Sequence, residues 1–295
     1  MASATSKLNG RTFGLTVNSV VLALLALACL LPMLLVFFVS ISSELSVAKN
    51  GYTFFPSAFS LDAYKVLLRG HSTIWHSYLI SIIVTAVGTA LAVVITGCAA
   101  YTLANKQVKY RNGLALFFFV TMVFNAGIVP WYMVCRMLGL SNNIFSLIIP
   151  SLLFSPFNMF LTRNFMRGIP DSLMESAKLD GANDATIALR IYFPLCTPVL
   201  ATIALFYGIG YWNDWFNSVM LVTDSKFYTL QYFLYQLQSQ LSMMARISVG
   251  VPVTAPPSDT FKMATAIVTI GPILLLYPYL QKYFVKGLVI GGVKE

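Results

Sequence analysis

Four of the chain's ten acidic residues, Asp171, Glu175, Asp180 and Asp184, fall in one polar stretch of an otherwise apolar sequence. They are interleaved with small residues in Glu175-Ser176-Ala177-Lys178-Leu179-Asp180-Gly181-Ala182, and the stretch ends at Ile191-Tyr192-Phe193-Pro194. Two roles fit carboxylates at these intervals. Ser172-x-x-Glu175 has the spacing of a capping box, in which serine and glutamate satisfy free N–H groups at a helix start. The same residues also make a surface handle on which another protein can push. Gly181 suits the left-handed residue that ends a helix. Asn183 or Asp184 can then cap a second short helix running to Arg190, before Pro194 breaks it. The spacing predicts a helix-turn-helix over 170–194, with Leu173, Ala177, Ile187 and Ile191 available for packing. Its small residues Ala177, Gly181 and Ala182 make a compact protrusion that fits a partner's groove.

Other chemistry is sparse. The sequence contains no G-x-x-x-x-G-K-[ST] phosphate loop, no G-x-S-x-G and no H-E-x-x-H. Cys29, Cys98, Cys135 and Cys196 are far apart in sequence and read as small apolar packers. His71 and His76 have no partner at zinc spacing and read as interfacial residues. No catalytic residue, metal site or bound cofactor is expected in this chain. Asp214, in Tyr211-Trp212-Asn213-Asp214-Trp215, is the one acid within reach of membrane depth. An intramembrane carboxylate is a functional candidate by default. Counted from Pro198 at about 1.5 Å per residue, it lies about 24 Å along its helix, beside Trp212 and Trp215. That position suits an interfacial or packing role better than a proton relay, with Asn213 and Asp214 kept as cavity candidates.

Apolar residues make up 58% of the 295 positions and charged residues 10%, where a soluble domain carries about 25% charged residues. A chain this poor in charge cannot dress a water-facing surface, so the expected class is an all-α integral membrane protein. Its net charge of +9 fits basic residues gathered on the cytoplasmic side rather than nucleic-acid binding. Six apolar stretches are long enough, or nearly so, to span: about 15–40, 74–104, 114–134, 144–161, 198–222 and 263–280. The loops 42–73 and 223–261 separate some of them, and Ser60 is expected to cap a short helix in the first loop. Prolines at 130, 150, 156, 272 and 278 interrupt the third, fourth and sixth stretches. Breaks of that kind survive in a membrane only where protein or a wet cavity satisfies the freed backbone groups. The segments on the side of the termini carry twelve Lys and Arg against seven on the other, three of the twelve in the hinge Lys106–Arg111. Both termini, and with them the 170–194 segment, are therefore expected in the cytoplasm. The 295 residues read as one transmembrane domain.

Glu175-Ser176-Ala177, three residues, Gly181, nine residues, then Ile191-Tyr192-Phe193-Pro194 resembles the signature of permease subunits of binding-protein-dependent ABC importers. Ser176 stands where that family has Ala, and Phe193 where it has Leu. Arg163–Pro170 before the motif and Asp180-Gly181-Ala182 inside it match its surroundings as well, and Phe55-Pro56, Phe59–Tyr64, Trp212-Asn213 and the ending Val285–Lys294 resemble its carbohydrate branch, the MalG- and LplC-like permeases. Trp75-His-Ser departs from it where the family often has Asn before the Ser. The resemblance covers nearly the whole chain. It implies a type I (MetI-like) importer fold with six transmembrane helices and a cytoplasmic coupling helix, set in a bacterial inner membrane. It implies a second homologous permease, two ATPase subunits holding ATP and Mg, and an extracytoplasmic solute-binding protein. Glu175, Ser176, Ala177, Asp180, Gly181 and Ala182 would dock on the ATPase, with Ile191 and Pro194 closing the motif. The 223–261 loop would reach toward the binding protein, and the tail 287–295 toward the ATPase interface. The implied solute is an oligosaccharide or sugar derivative, alginate being one candidate. The rival reading is an ion-coupled secondary transporter or channel, which lacks the charged relay that it needs.

Overall fold

The computed structural model describes residues 2–68, 71–150, 152–247 and 259–272. Among these residues the secondary structure is helical, apart from one antiparallel bridge between Ser42 and Phe59. The chain divides into two compact units, Met1–Gly70 with Leu237–Ile270, and His71–Gln236 with Gly271–Glu295. Residues 248–258, Arg69 and the tail from residue 273 lie outside the described residues, and with them most of the expected last span and its C-terminal extension.

In the first unit, α1 (Ala2–Ser40) contains the apolar stretch Thr16–Ser40, long enough to cross a bilayer. Its leucines face outward, Leu24 and Leu27 being more than half exposed, as a lipid-facing helix requires. The loop after it holds α2 (Glu44–Asn50), which ends at Gly51 with φ +72°, and α3 (Asp62–Leu68). Ser60 bonds the Asp62 N–H at 3.0 Å, so the expected cap lies two residues before the first helical position. Glu44 performs a capping role across the sequence. Its carboxylate accepts the N–H groups of Asp259 and Thr260 at 3.1 and 3.0 Å, at the start of a helix over 259–272.

The second unit is built on α4 (His71–Ala104), whose stretch Ile74–Ala104 can also cross a membrane. The expected span 114–134 is not one helix. It is α5 (Arg111–Val123) and α6 (Ile128–Met137), bent by 117°. The break falls at residues 124–127, where Gly127 takes φ +85° and Asn125 Oδ1 holds its N–H at 2.8 Å. Pro130 lies in the first turn of α6, where a missing N–H removes no helical bond. The expected span 144–161 is likewise α7 (Phe145–Ile148) and α8 (Pro156–Met166). Pro156 starts α8, and Ser155 caps it by accepting the Asn158 N–H at 3.4 Å.

Protein groups satisfy part of the backbone freed between α7 and α8. The Tyr211 hydroxyl donates to Ile148 O at 2.8 Å, Asn217 Nδ2 donates to Pro150 O at 3.2 Å, and Ser155 N–H donates to the Tyr207 hydroxyl at 2.9 Å. Tyr207 and Tyr211 lie one turn apart, on the helix between Thr197 and Trp212 that packs along α4. That packing is close: a Cβ on Gly88 would stand 2.6 Å from the Tyr211 ring, and one on Gly97 would stand 2.6 Å from the Phe193 ring. The expected span 198–222 ends early, at Trp212, and a further helix follows over Phe216–Leu221. The loop 223–261 contains an 18-residue helix, Leu230–Ile247. Its signal was in the sequence: Leu230 and Leu234 repeat at helical spacing and both are buried, with Gln231, Gln236, Gln238 and Gln240 interspersed along the helix.

Candidate functional site

The acidic stretch folds as a short helix, α9 (Asp171–Leu179), a tight turn, and α10 (Asp184–Ile187). The helix starts one residue before the serine, because Pro170 occupies the cap position. Ser172 and Glu175 consequently form no capping box, and neither side chain makes a hydrogen bond among the described residues. Gly181 ends α9 at φ +80°. Gly181 N–H bonds Lys178 O at 3.0 Å and Ala182 N–H bonds Ala177 O at 2.9 Å, the paired bonds of a Schellman stop. Of the two candidate caps for α10, Asn183 does the work, accepting the Thr186 N–H at 2.8 Å.

After α10 the chain widens into a π-helical turn, Ala188–Tyr192, in which the Phe193 N–H reaches back five residues to Ala188 O. Pro194 follows within α11 (Phe193–Leu195) rather than ending the helix. The axis then turns by 85° into α12 (Thr197–Trp212), the helix that carries Tyr207 and Tyr211.

The four acids separate into two pairs. Asp171 is bound by Lys106, and Asp184 lies 3.3 Å from Lys178 Nζ, which also reaches Gln107 Oε1. Both acids thus tie the motif to itself or to the turn after α4. Glu175 and Asp180 are exposed and have no side-chain partner among the described residues. Met174 and Ala177 form the opposite, buried face of α9, and they join a core that includes Ile187 and Tyr192. Ser176 and Gly181 are exposed, Ala182 and Ile191 are half-buried against that core, and Pro194 is exposed. The outer surface also carries Leu173 and Leu179, the latter 90% exposed. A rigid, anchored helix thus presents two unpaired carboxylates and two leucines outward. The tethers Lys106, Gln107 and Lys178 were not read as site residues from the sequence. The only hint was the basic hinge, and nothing local shows which acid it meets.

Arg163 is buried on α8, where its Nε donates to Leu103 O at 3.1 Å. Burial pulls its guanidinium pKa below the ordinary value, with the charges of Arg167 and Arg111 adding to the effect.

Asn213 and Asp214 do not lie in a helix interior. They form the turn between α12 and α13 (Phe216–Leu221). Asp214 Oδ1 accepts the N–H groups of Phe216 and Asn217 at 3.1 and 3.2 Å, and Oδ2 accepts Asn217 Nδ2 at 2.8 Å. Asn213 donates to Ile209 O and accepts from Gln231. Asp214 thus holds the first two N–H groups of α13.

No group of three or more His, Cys, Asp or Glu side chains is arranged to hold a metal among the described residues.

The chain is 38% identical over 265 residues to protein LplC of Bacillus subtilis, covering 90% of this chain and 89% of that one. It is 36% identical over 277 residues to the polygalacturonan/rhamnogalacturonan transport system permease protein YtcP of the same organism, covering 92% and 95%. Among solved structures it is similar to a chain in the crystal structure of a bacterial ABC transporter involved in the import of the acidic polysaccharide alginate. That match has a TM-score of 0.79 and 33% identity, covering 93% of this chain and 97% of the other. The model of one family, the binding-protein-dependent transport system inner membrane component, matches residues 99–290. With its acidic helix, its broken apolar segments and these relatives, the chain belongs to that family, the membrane permeases of binding-protein-dependent ABC importers.

Proposed function

We propose that this chain is one of two permease subunits of an ATP-driven carbohydrate importer, and that α9 is its coupling helix. The observation that carries the reading is the division of the acids: Asp171 and Asp184 fasten the segment, while Glu175 and Asp180 face outward unpaired. In this reading a second permease completes the path, and two ATPase subunits, holding ATP and Mg, receive α9 in a groove with basic groups. A solute-binding protein delivers cargo on the other side. Six spans leave both termini in the cytoplasm, in keeping with the excess of Lys and Arg on that side. The relatives favour an oligosaccharide as solute, alginate among the candidates.

The test is reconstitution. ATP hydrolysis and uptake of labelled oligosaccharide are expected only when permease pair, ATPase subunits and loaded binding protein are all present. Glu175→Lys is expected to assemble normally in the membrane but to lose stimulated hydrolysis and transport. Normal transport by that variant would sink the docking role. Uptake by this chain alone, driven by an ion gradient, would sink the importer reading.

A further inference from the structure

Beside the first turn of α9 lies a cavity of about 380 Å³, lined among others by Asn105, Lys106, Arg111, Arg167, Asp171 and Met174. We infer that it holds the headgroup of an anionic phospholipid, whose acyl chains lie along α5; the inference goes beyond the transport reading and is independent of the solute.

Charge is the first argument. Three cations and one carboxylate line the cavity, and Lys106 already occupies Asp171. The guanidinium groups of Arg111 and Arg167 are left without a hydrogen-bonding or ionic partner among the described residues. Like charges gathered in one cavity repel, and an anion between them removes the repulsion. Donors also outnumber acceptors. Asn105 is buried, with its Oδ1 used by the Gln107 N–H, which leaves its amide N–H₂ as a donor. Two guanidinium groups and an amide suit the oxygens of a phosphodiester, since planar Arg donors match phosphate geometry.

The second argument decides the source of the phosphate. Arg111 is the first residue of α5, and no residue of that helix is buried. Leu114 and Phe117 follow within two turns and are exposed. Cation first and bare apolar helix next is the order in which a phospholipid presents headgroup and chains. An acidic side chain from a soluble partner would instead bring polar surface against those apolar residues. Basic pockets at the ends of membrane helices are suited to anionic headgroups. Asp171 and Met174 put the coupling helix in the cavity wall, so occupancy bears directly on the element proposed to receive the ATPase.

The experiment uses the assembled transporter, delipidated and titrated with phosphatidylglycerol or phosphatidylcholine, with bound lipid counted by native mass spectrometry. Phosphatidylglycerol is expected to bind and phosphatidylcholine not. Arg111→Gln with Arg167→Gln is expected to weaken phosphatidylglycerol roughly tenfold or more, and Arg111→Lys with Arg167→Lys to restore part of the loss. The exposed cations Lys109 and Arg190 supply the control: Lys109→Gln with Arg190→Gln should weaken binding by less than about threefold. Equal losses in the two double variants would reduce the effect to general surface charge and overturn the site. Inorganic phosphate binding as well as phosphatidylglycerol does would mark a free-anion site and overturn the lipid. Bound lipid in the permease pair that disappears when ATPase subunits are added would give the cavity to the ATPase, again overturning it.

Discussion

Gly181 has open space where a Cβ would stand, so a side chain there meets nothing, and the backbone alone sets the cost of replacing it. At φ +80° that cost is about 1–2 kcal/mol for an ordinary residue. Asn tolerates this region better, and Asn142 of this chain already sits at φ +53°. Gly181→Val should therefore lower the thermal midpoint of the assembled transporter clearly, and Gly181→Asn by less. Equal losses would mean that the open space is filled in the assembly. Glu175 also reads differently once the helix start is known. The sequence offered it a capping role and a docking role, and Pro170 removes the first. A proline with φ fixed near the helical value outcompeted a serine two residues later.

At the scale of elements, the broken segment between α7 and α8 shows how an apolar chain tolerates irregular backbone. Tyr211→Phe removes the one donor to Ile148 O among the described residues while the ring stays on Gly88. Leaving that carbonyl without a partner costs about 1–3 kcal/mol. Tyr207→Phe should cost more, because its hydroxyl bonds both Thr96 Oγ1 at 2.7 Å and the Ser155 N–H. Unfolding midpoints of the two variants in detergent check the order, and a reversed order would contradict it. Much of this was legible from local rules. Gly181 as a stop, Asn183 as a cap and Pro156 as a break each depend on one or two neighbouring residues. The bend at 124–127, the early end of α12 and the cap that Glu44 gives to residues 259–260 depend on groups distant in sequence, or on an Asx turn inside an apolar run. Hydropathy averages over such turns. The helix 230–247 was missed for another reason: its glutamines hid a regular apolar face.

At the scale of the molecule, Phe193 joins the motif to the long helix α4. The sequence has Phe there where the resembling family has Leu, and the structure supplies the room for the larger ring: Gly97 has no Cβ to obstruct it. Gly97→Ala should destabilise by about 1–3 kcal/mol, as overpacking does. Adding Phe193→Leu should recover most of the loss. A double-mutant cycle on thermal stability measures the coupling, and strictly additive losses would show that the two positions do not meet. The π turn then has a mechanical consequence. Between α9 and α12 the axial ladder of backbone hydrogen bonds is loosened at Ala188–Tyr192, interrupted by a proline with no N–H, and turned through 85°. A thrust delivered to α9 has no straight rod to travel along. What remains stiff is sideways: the Phe193 ring bearing on Gly97, and Lys106 gripping Asp171, both of which deliver load to the end of α4. In the proposed coupling role, load on α9 would therefore reach α4 through these two contacts, with α12 as the arm of a crank.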